Sequence, residues 1–179
     1  MSAASIAGRP EPSEHLPYYE KYIRLVTGED ALAALASQTG ETLATLRAVS
    51  EVDSLKRYAP GKWSLREVIG HVTDAERVFA YRALRIARGD ATPLAGFEQD
   101  DWMAEAHFDA RSLRELLDEF QAVRQASVLL FRPLDQEAWR RRGVASGGDV
   151  SVRALAFIIA GHERHHMAIV REKYLPLVG

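Results

Sequence analysis

The chain contains no cysteine. That excludes disulfides, thiolate nucleophiles, and zinc or iron–sulfur sites held by sulfur. Any soft-metal site must be built from histidine and carboxylates. Excess positive charge is also missing. The 23 Lys and Arg stand against 25 Asp and Glu, a formal net charge of −2, so nothing is in place to displace counterions and no nucleic-acid partner is expected. No stretch approaches about 18 consecutive apolar residues, so no transmembrane helix and no membrane partner is expected. The opening MSAASIAGRPEPSEH lacks a basic region followed by an apolar one. It reads as a flexible leader over 1–15 rather than a secretory signal, and the expected location is cytoplasmic. There is no Gly-x-Ser-x-Gly elbow, and Gly147-Gly148 lacks the Lys-Ser/Thr that completes a phosphate loop. Fixed-period repeats and sustained strand alternation are absent too.

What is present is a globular composition. Of 179 residues, 47% are hydrophobic and 27% charged, enough for one domain with a sizeable core, placed at 16–179. Four long segments carry helical periodicity. The first runs over about 28–50, with Leu32, Leu35, Leu43, Leu46 and Val49 on one stripe. The second runs over about 64–88 and opens on Ser64-Leu65-Arg66-Glu67, which has the form of a capping box. The third begins at a second such box, Ser112-Leu113-Arg114-Glu115, and reaches about 131. The fourth covers about 151–174. A short helix or turn around Leu16–Val26 lies against the body. The connection over 90–109 is long, and a connection of that length is functional or covers something. Arg140-Arg141-Arg142 and the glycines from 143 to 148 read as a solvated turn. This pattern predicts an all-α, antiparallel four-helix bundle.

Three of the six histidines fall in Gly161-His162-Glu163-Arg164-His165-His166. With Leu155 at zero and about 100° per residue, His162 lies near 340° and His166 near 20°, inside the apolar stripe. His165 falls on the flank near 280°, and Arg164 faces water near 180°. Two inward imidazoles one turn apart are costly unless satisfied. Their i, i+4 spacing suits a single metal ion, as in H-x-x-x-H sites; the alternative is a pair of hydrogen-bonded core histidines. His71 lies on the flank of the second helix, where it turns toward a neighbouring helix or toward solvent. Glu76 falls within that helix's apolar stripe. A carboxylate there is a partner of a ligand histidine, a fourth ligand, a general base, or one half of a salt bridge to a core-edge arginine. Asp74 belongs to the solvated face. Phe97 and Trp102, on the long connection, either wall a pocket or simply pack.

The stretches Tyr58-Ala59-Pro60-Gly61-Lys62-Trp63-Ser64, Gly70-His71-Val72-Thr73-Asp74-Ala75-Glu76-Arg77 and Gly161–His166, with Gly96, Phe97 and Trp102 between them, resemble the DinB-like family from about Leu16 to Tyr174. That family includes metal-dependent hydrolases and bacillithiol transferases. The resemblance implies an up-down-down-up four-helix bundle, often a homodimer. It implies a divalent metal, nickel or zinc, held by His71, His162 and His166, with His165 a neighbour. Some relatives carry histidine where this chain has Glu76, which is taken as the candidate catalytic residue. Three protein ligands leave positions open for a small-molecule substrate, so the implied activity is hydrolysis or transfer of a low-molecular-weight thiol. The competing reading is a non-catalytic metal-binding stress-response or interaction protein.

Overall fold

The computed structural model describes residues 8–178. Two short 3-10 turns, at Pro12–Glu14 and Pro17–Tyr19, lead into α1 (Glu20–Ile23). The bundle is formed by α2 (Ala31–Arg47), α3 (Leu65–Ala87), α5 (Leu113–Phe131) and α7 (Val152–Ile169), the last continuing as a wider π-type turn over Val170–Tyr174. Each long helix starts where a side chain satisfies its orphan amides. Asp30 accepts from the Ala33 amide at 3.0 Å and Ser151 from Ala154 at 3.0 Å. Both expected capping boxes are present, at Ser64/Glu67 and Ser112/Glu115.

Around the bundle α2 neighbours α5, α5 neighbours α3, α3 neighbours α7, and α7 returns to α2. The first two long helices therefore lie diagonally, as do the last two. The diagonals are crossed by 48–64 and 132–151, whereas the long 90–109 connection joins the neighbours α3 and α5 and contains a short helix, α4 (Gln99–Ala106), with no buried residue of its own.

Two expectations need correction. The glycine-rich turn after the third long helix holds α6 (Gln136–Arg140) and a β-hairpin, β1 (Arg142–Ala145) with β2 (Gly148–Ser151), paired antiparallel from Arg142↔Ser151 to Ala145↔Gly148. Four-residue strands are too short to show alternation. Their signature is the two-residue turn at Ser146 and Gly147, both with positive φ (53° and 79°), as a tight hairpin requires. The hairpin is tied to the long connection: Leu94 donates to Val144 O at 2.9 Å and Ser146 donates to Leu94 O at 3.0 Å. Of the leader expected over 1–15, residues 1–7 lie outside the described residues, and 9–15 pack against the body. Glu14 and His15 are buried. Glu14 accepts from Arg153 Nε at 2.8 Å, and the Arg9 guanidinium donates to the carbonyls of Val26 (2.6 Å) and Ile23 (3.0 Å).

The core divides into two apolar clusters. One contains Leu35, Ala75, Phe79, Phe131 and the first half of α7. The other contains Leu43, Leu46, Leu65, Val72, Leu116, Phe120 and Met167. Between them every bundle helix contributes polar side chains: Thr42 from α2, Glu76 from α3, Arg124 from α5, and His162 and Glu163 from α7, all buried. That polar layer is where the chemistry sits.

Candidate metal centre

His71 projects from α3, and His162 and His166 from successive turns of α7. Their approach depends on Gly161. A Cβ there would stand 2.0 Å from the Tyr22 carbonyl oxygen, so only glycine lets α7 lie against α1. The Tyr22 ring consequently packs edge-on against His162, centroids 5.2 Å apart, and Trp63 covers His71 at 4.9 Å.

The Nε2 atoms converge. His162 Nε2 lies 3.1 Å from His71 Nε2 and 3.1 Å from His166 Nε2, and the three ligand atoms fall within 4.8 Å of one another. Protons alone cannot satisfy this arrangement well. His162 Nε2 carries either one hydrogen or one lone pair, so it makes a good hydrogen bond to one neighbour and not to both. A cation between the three lone pairs serves all of them. The two 3.1 Å separations lie inside the roughly 4.2 Å that two nitrogens bonded at about 2.1 Å to one ion can span, and the His71–His166 pair lies within 4.8 Å. The residues therefore fit a three-histidine metal site.

Charge agrees with geometry. Burial pushes the His71 imidazole down to about 4, against the pull of the Asp100 charge. Burial, and then the proximity of His71 and His165, lowers His166 to about 3. Complete burial and the neighbouring imidazoles hold His162 well below its ordinary value. All three rings are thus neutral at pH 7, the form in which imidazole binds metal. His165 is also lowered, by burial and Lys21, but it stands outside the converging set and packs on Tyr22 (5.3 Å).

Glu76 is in the salt bridge, the last of the roles its position allowed. Arg124 Nε and Nη2 donate to its two oxygens, each at 2.9 Å. Arg124 Nη1 also reaches Glu163 Oε2 at 2.7 Å, while Thr42 (2.6 Å) and Gln38 donate to Glu163. Desolvation opposes the charge of Arg124, but Glu76 and Glu163 outweigh it and raise its pKa further. Both Glu76 oxygens are engaged, so the arrangement presents no free base there. Arg124 could have been found in the sequence, since it lies about 20° from Leu113 on the apolar stripe of α5. Glu163, about 80° from Leu155, sits at a stripe edge where periodicity does not decide.

A cleft of about 280 Å³ opens from His71 and His162 and is walled by Phe79, Phe97, Asp100 and Ser146. Tyr18 lines it as well, its hydroxyl 3.3 Å from that of Tyr22 and its ring centroid 3.7 Å from Lys21 Nζ. Phe97 is a pocket wall. Trp102 packs on Phe97 (4.7 Å) and stays half exposed. The tyrosines, Asp100 and Ser146 carry no periodic signal; tertiary folding brings them together.

The DinB superfamily pattern matches residues 34–170, more than half of the chain. The chain belongs to the DinB superfamily. Among its relatives is an Oceanobacillus iheyensis protein named "putative metal-dependent hydrolase". It is 24% identical over 151 residues, which cover 82% of this chain and 86% of that one. Among solved structures, this DinB-superfamily chain is similar to YfiT from Bacillus subtilis, described as "a probable metal-dependent hydrolase with an unusual four-helix bundle topology". The TM-score is 0.72 at 16% identity, covering 94% of this chain and 92% of that one. It also resembles the mycothiol-dependent maleylpyruvate isomerase, with a TM-score of 0.62 at 16% identity, covering 85% of this chain and 60% of that one. At these identities the two structures establish the shared bundle fold. No described helix is long and apolar enough to cross a membrane.

Proposed function

We propose that this chain is a divalent-metal-dependent hydrolase acting on a small molecule. The observation that carries the proposal is the convergence of three neutral Nε2 atoms, two on the buried His71 and His162 that head an open cleft and the third on the partly buried His166. The name of the Oceanobacillus relative supports it. His71, His162 and His166 would hold the ion, nickel or zinc on the family resemblance. The ion supplies Lewis acidity and lowers the pKa of a water or thiol that it binds. The chain's own residues do the rest. Tyr22, Trp63 and Phe79 screen the imidazoles from bulk water, which strengthens electrostatics in the site. The Glu76–Arg124–Glu163 network locks α7 to α3 and α5, holding His162 and His166 in aim. Tyr18, Glu98 and Asp100 are among the groups on the cleft wall able to handle protons. Burial would raise the Tyr18 hydroxyl, but its hydrogen bonds with Tyr22 and Lys21 and the Lys21 charge bring it below its ordinary value.

Transfer of a low-molecular-weight thiol is the second reading. It is favoured by the engagement of Glu76 with Arg124, because a thiol needs far less help to ionise than water does. The up-down-down-up order of helix directions and a cytoplasmic homodimer are proposed on the family resemblance. Light scattering that gives a monomer mass at high concentration would remove the dimer.

The test is a substrate screen of metal-loaded protein on two panels, one of esters and amides and one of thiols paired with electrophiles. Hydrolytic turnover that disappears on chelation and in His162→Ala supports the first reading. Metal-dependent S-transfer without hydrolysis selects the second. Stoichiometric metal with turnover on neither panel favours a non-catalytic metal-binding protein.

A further inference from the structure

Arg82 is a cation without an anion. It projects from α3 and is 2% exposed, yet among the described residues no carboxylate pairs with it. Its two hydrogen bonds leave Nη2 for neutral acceptors, the Ala95 carbonyl at 2.7 Å and Ser146 Oγ at 3.0 Å. The other buried guanidiniums are paired, Arg124 with two carboxylates and Arg66 with Glu51. Desolvating a charge without a counter-charge is costly, so a fold that keeps Arg82 has a use for its field.

The location indicates the use. The rings flanking the guanidinium are Phe79 and Phe97, with centroids 5.8 and 5.9 Å from its central carbon. Both rings and Ser146 also wall the cleft that reaches His71 and His162. Nε and Nη1 of Arg82 have no acceptor among the described residues. Arg82 stands behind the cleft wall rather than in its lining, with Ser146 Oγ, 3.0 Å from Nη2, the polar link between the two. Ser146 Oγ accepts from Arg82, which leaves its own proton to donate. Along α3, Arg82 follows His71 by eleven residues, about 16 Å of rise and about 20° of phase. The cleft lining carries two carboxylates, Glu98 and Asp100, the latter acting on His71; the cation at the far end is Arg82.

We propose that Arg82 and Ser146 form a subsite for the carboxylate of a small substrate whose reacting group lies at the histidine end, with Phe79 and Phe97 flanking the apolar portion between. This names the substrate class of the cleft and so rests on reading it as the substrate site. Its binding test does not require turnover or metal, so the two can fail separately.

Isothermal titration of the full chain with 3-phenylpropionate and with its neutral amide tests the proposal, on metal-loaded protein and again after chelation. The carboxylate should bind at least about tenfold more tightly than the amide in both states, since a charge-assisted contact to a buried cation is worth that much or more. Arg82→Met should abolish the preference and Ser146→Gly should shrink it severalfold, with circular dichroism confirming the helical fold. If Arg82→Met does not fold, Ser146→Gly decides, and an unchanged preference there overturns the proposal. A preference that survives Arg82→Met, or that vanishes on chelation because the carboxylate was bound to metal, overturns it as well. So does the absence of any preference in the wild type.

Discussion

Arg124→Met should be among the most destabilising single substitutions in the molecule that leave the three converging histidines untouched. Arg124 is 1% exposed and is the cation between Glu76 (2%) and Glu163 (1%). It donates to both Glu76 oxygens at 2.9 Å and to Glu163 at 2.7 Å, with a further bond to the Leu35 carbonyl at 3.2 Å. Methionine fills much of the space but leaves two carboxylates buried with no cation. Breaking one buried pair costs about 3–5 kcal/mol. Thr42 and Gln38 still serve Glu163, and either carboxyl can take up a proton, so the two losses do not add fully. About 3–5 kcal/mol is therefore expected overall. For a chain of this size that lowers Tm by roughly 6–20 °C. Glu76→Gln should cost less, because Arg124 keeps Glu163 and the cluster becomes one cation to one anion. Urea unfolding at pH 7 measures both. A loss under about 1 kcal/mol for Arg124→Met, or a larger loss for Glu76→Gln, would refute the view that this network anchors α7. Activity that vanishes in Glu76→Gln with stability unchanged would restore Glu76 as a catalytic base.

Gly161→Ala should destabilise by about 1–3 kcal/mol through overpacking, because its methyl meets the Tyr22 backbone. Urea unfolding checks this, and unaltered stability would mean that α1 moves freely. The metal-free protein should weaken with acid. His71 titrates at about 4 in the fold and near 6.5 when unfolded. Between those values the unfolded chain binds the extra proton, so stability falls as pH drops, by about 3 kcal/mol from this group. Comparing wild type with His71→Gln at pH 7.5 and 4.5 isolates the term; equal losses in both would contradict it.

Much of this molecule was legible in the sequence because its cause is local. The four bundle helices declare themselves by apolar spacing and by Ser64 and Ser112 caps whose boxes form as read. His162 and His166 could be placed inward by phase alone. His71 could not: its flank position becomes meaningful when α7 lies beside α3, a contact that periodicity does not contain. Glu76 was correctly placed inside, but its partner sits 48 residues away and decides its role. The hairpin at 142–151 escaped because four-residue strands carry no alternation, and its turn depends on two positive φ angles. Arg82 lies on a helix flank, so its burial depends on the long connection folding over it.

The central claim is that His71, His162 and His166 hold one divalent ion while His165 does not. Elemental analysis of untagged protein, soaked with nickel or zinc and then dialysed, tests it directly. About one metal per chain in wild type and in His165→Ala, with little in His162→Ala or His166→Ala, is the expected result. Full metal content in His162→Ala and His166→Ala, or none in the wild type, would contradict it.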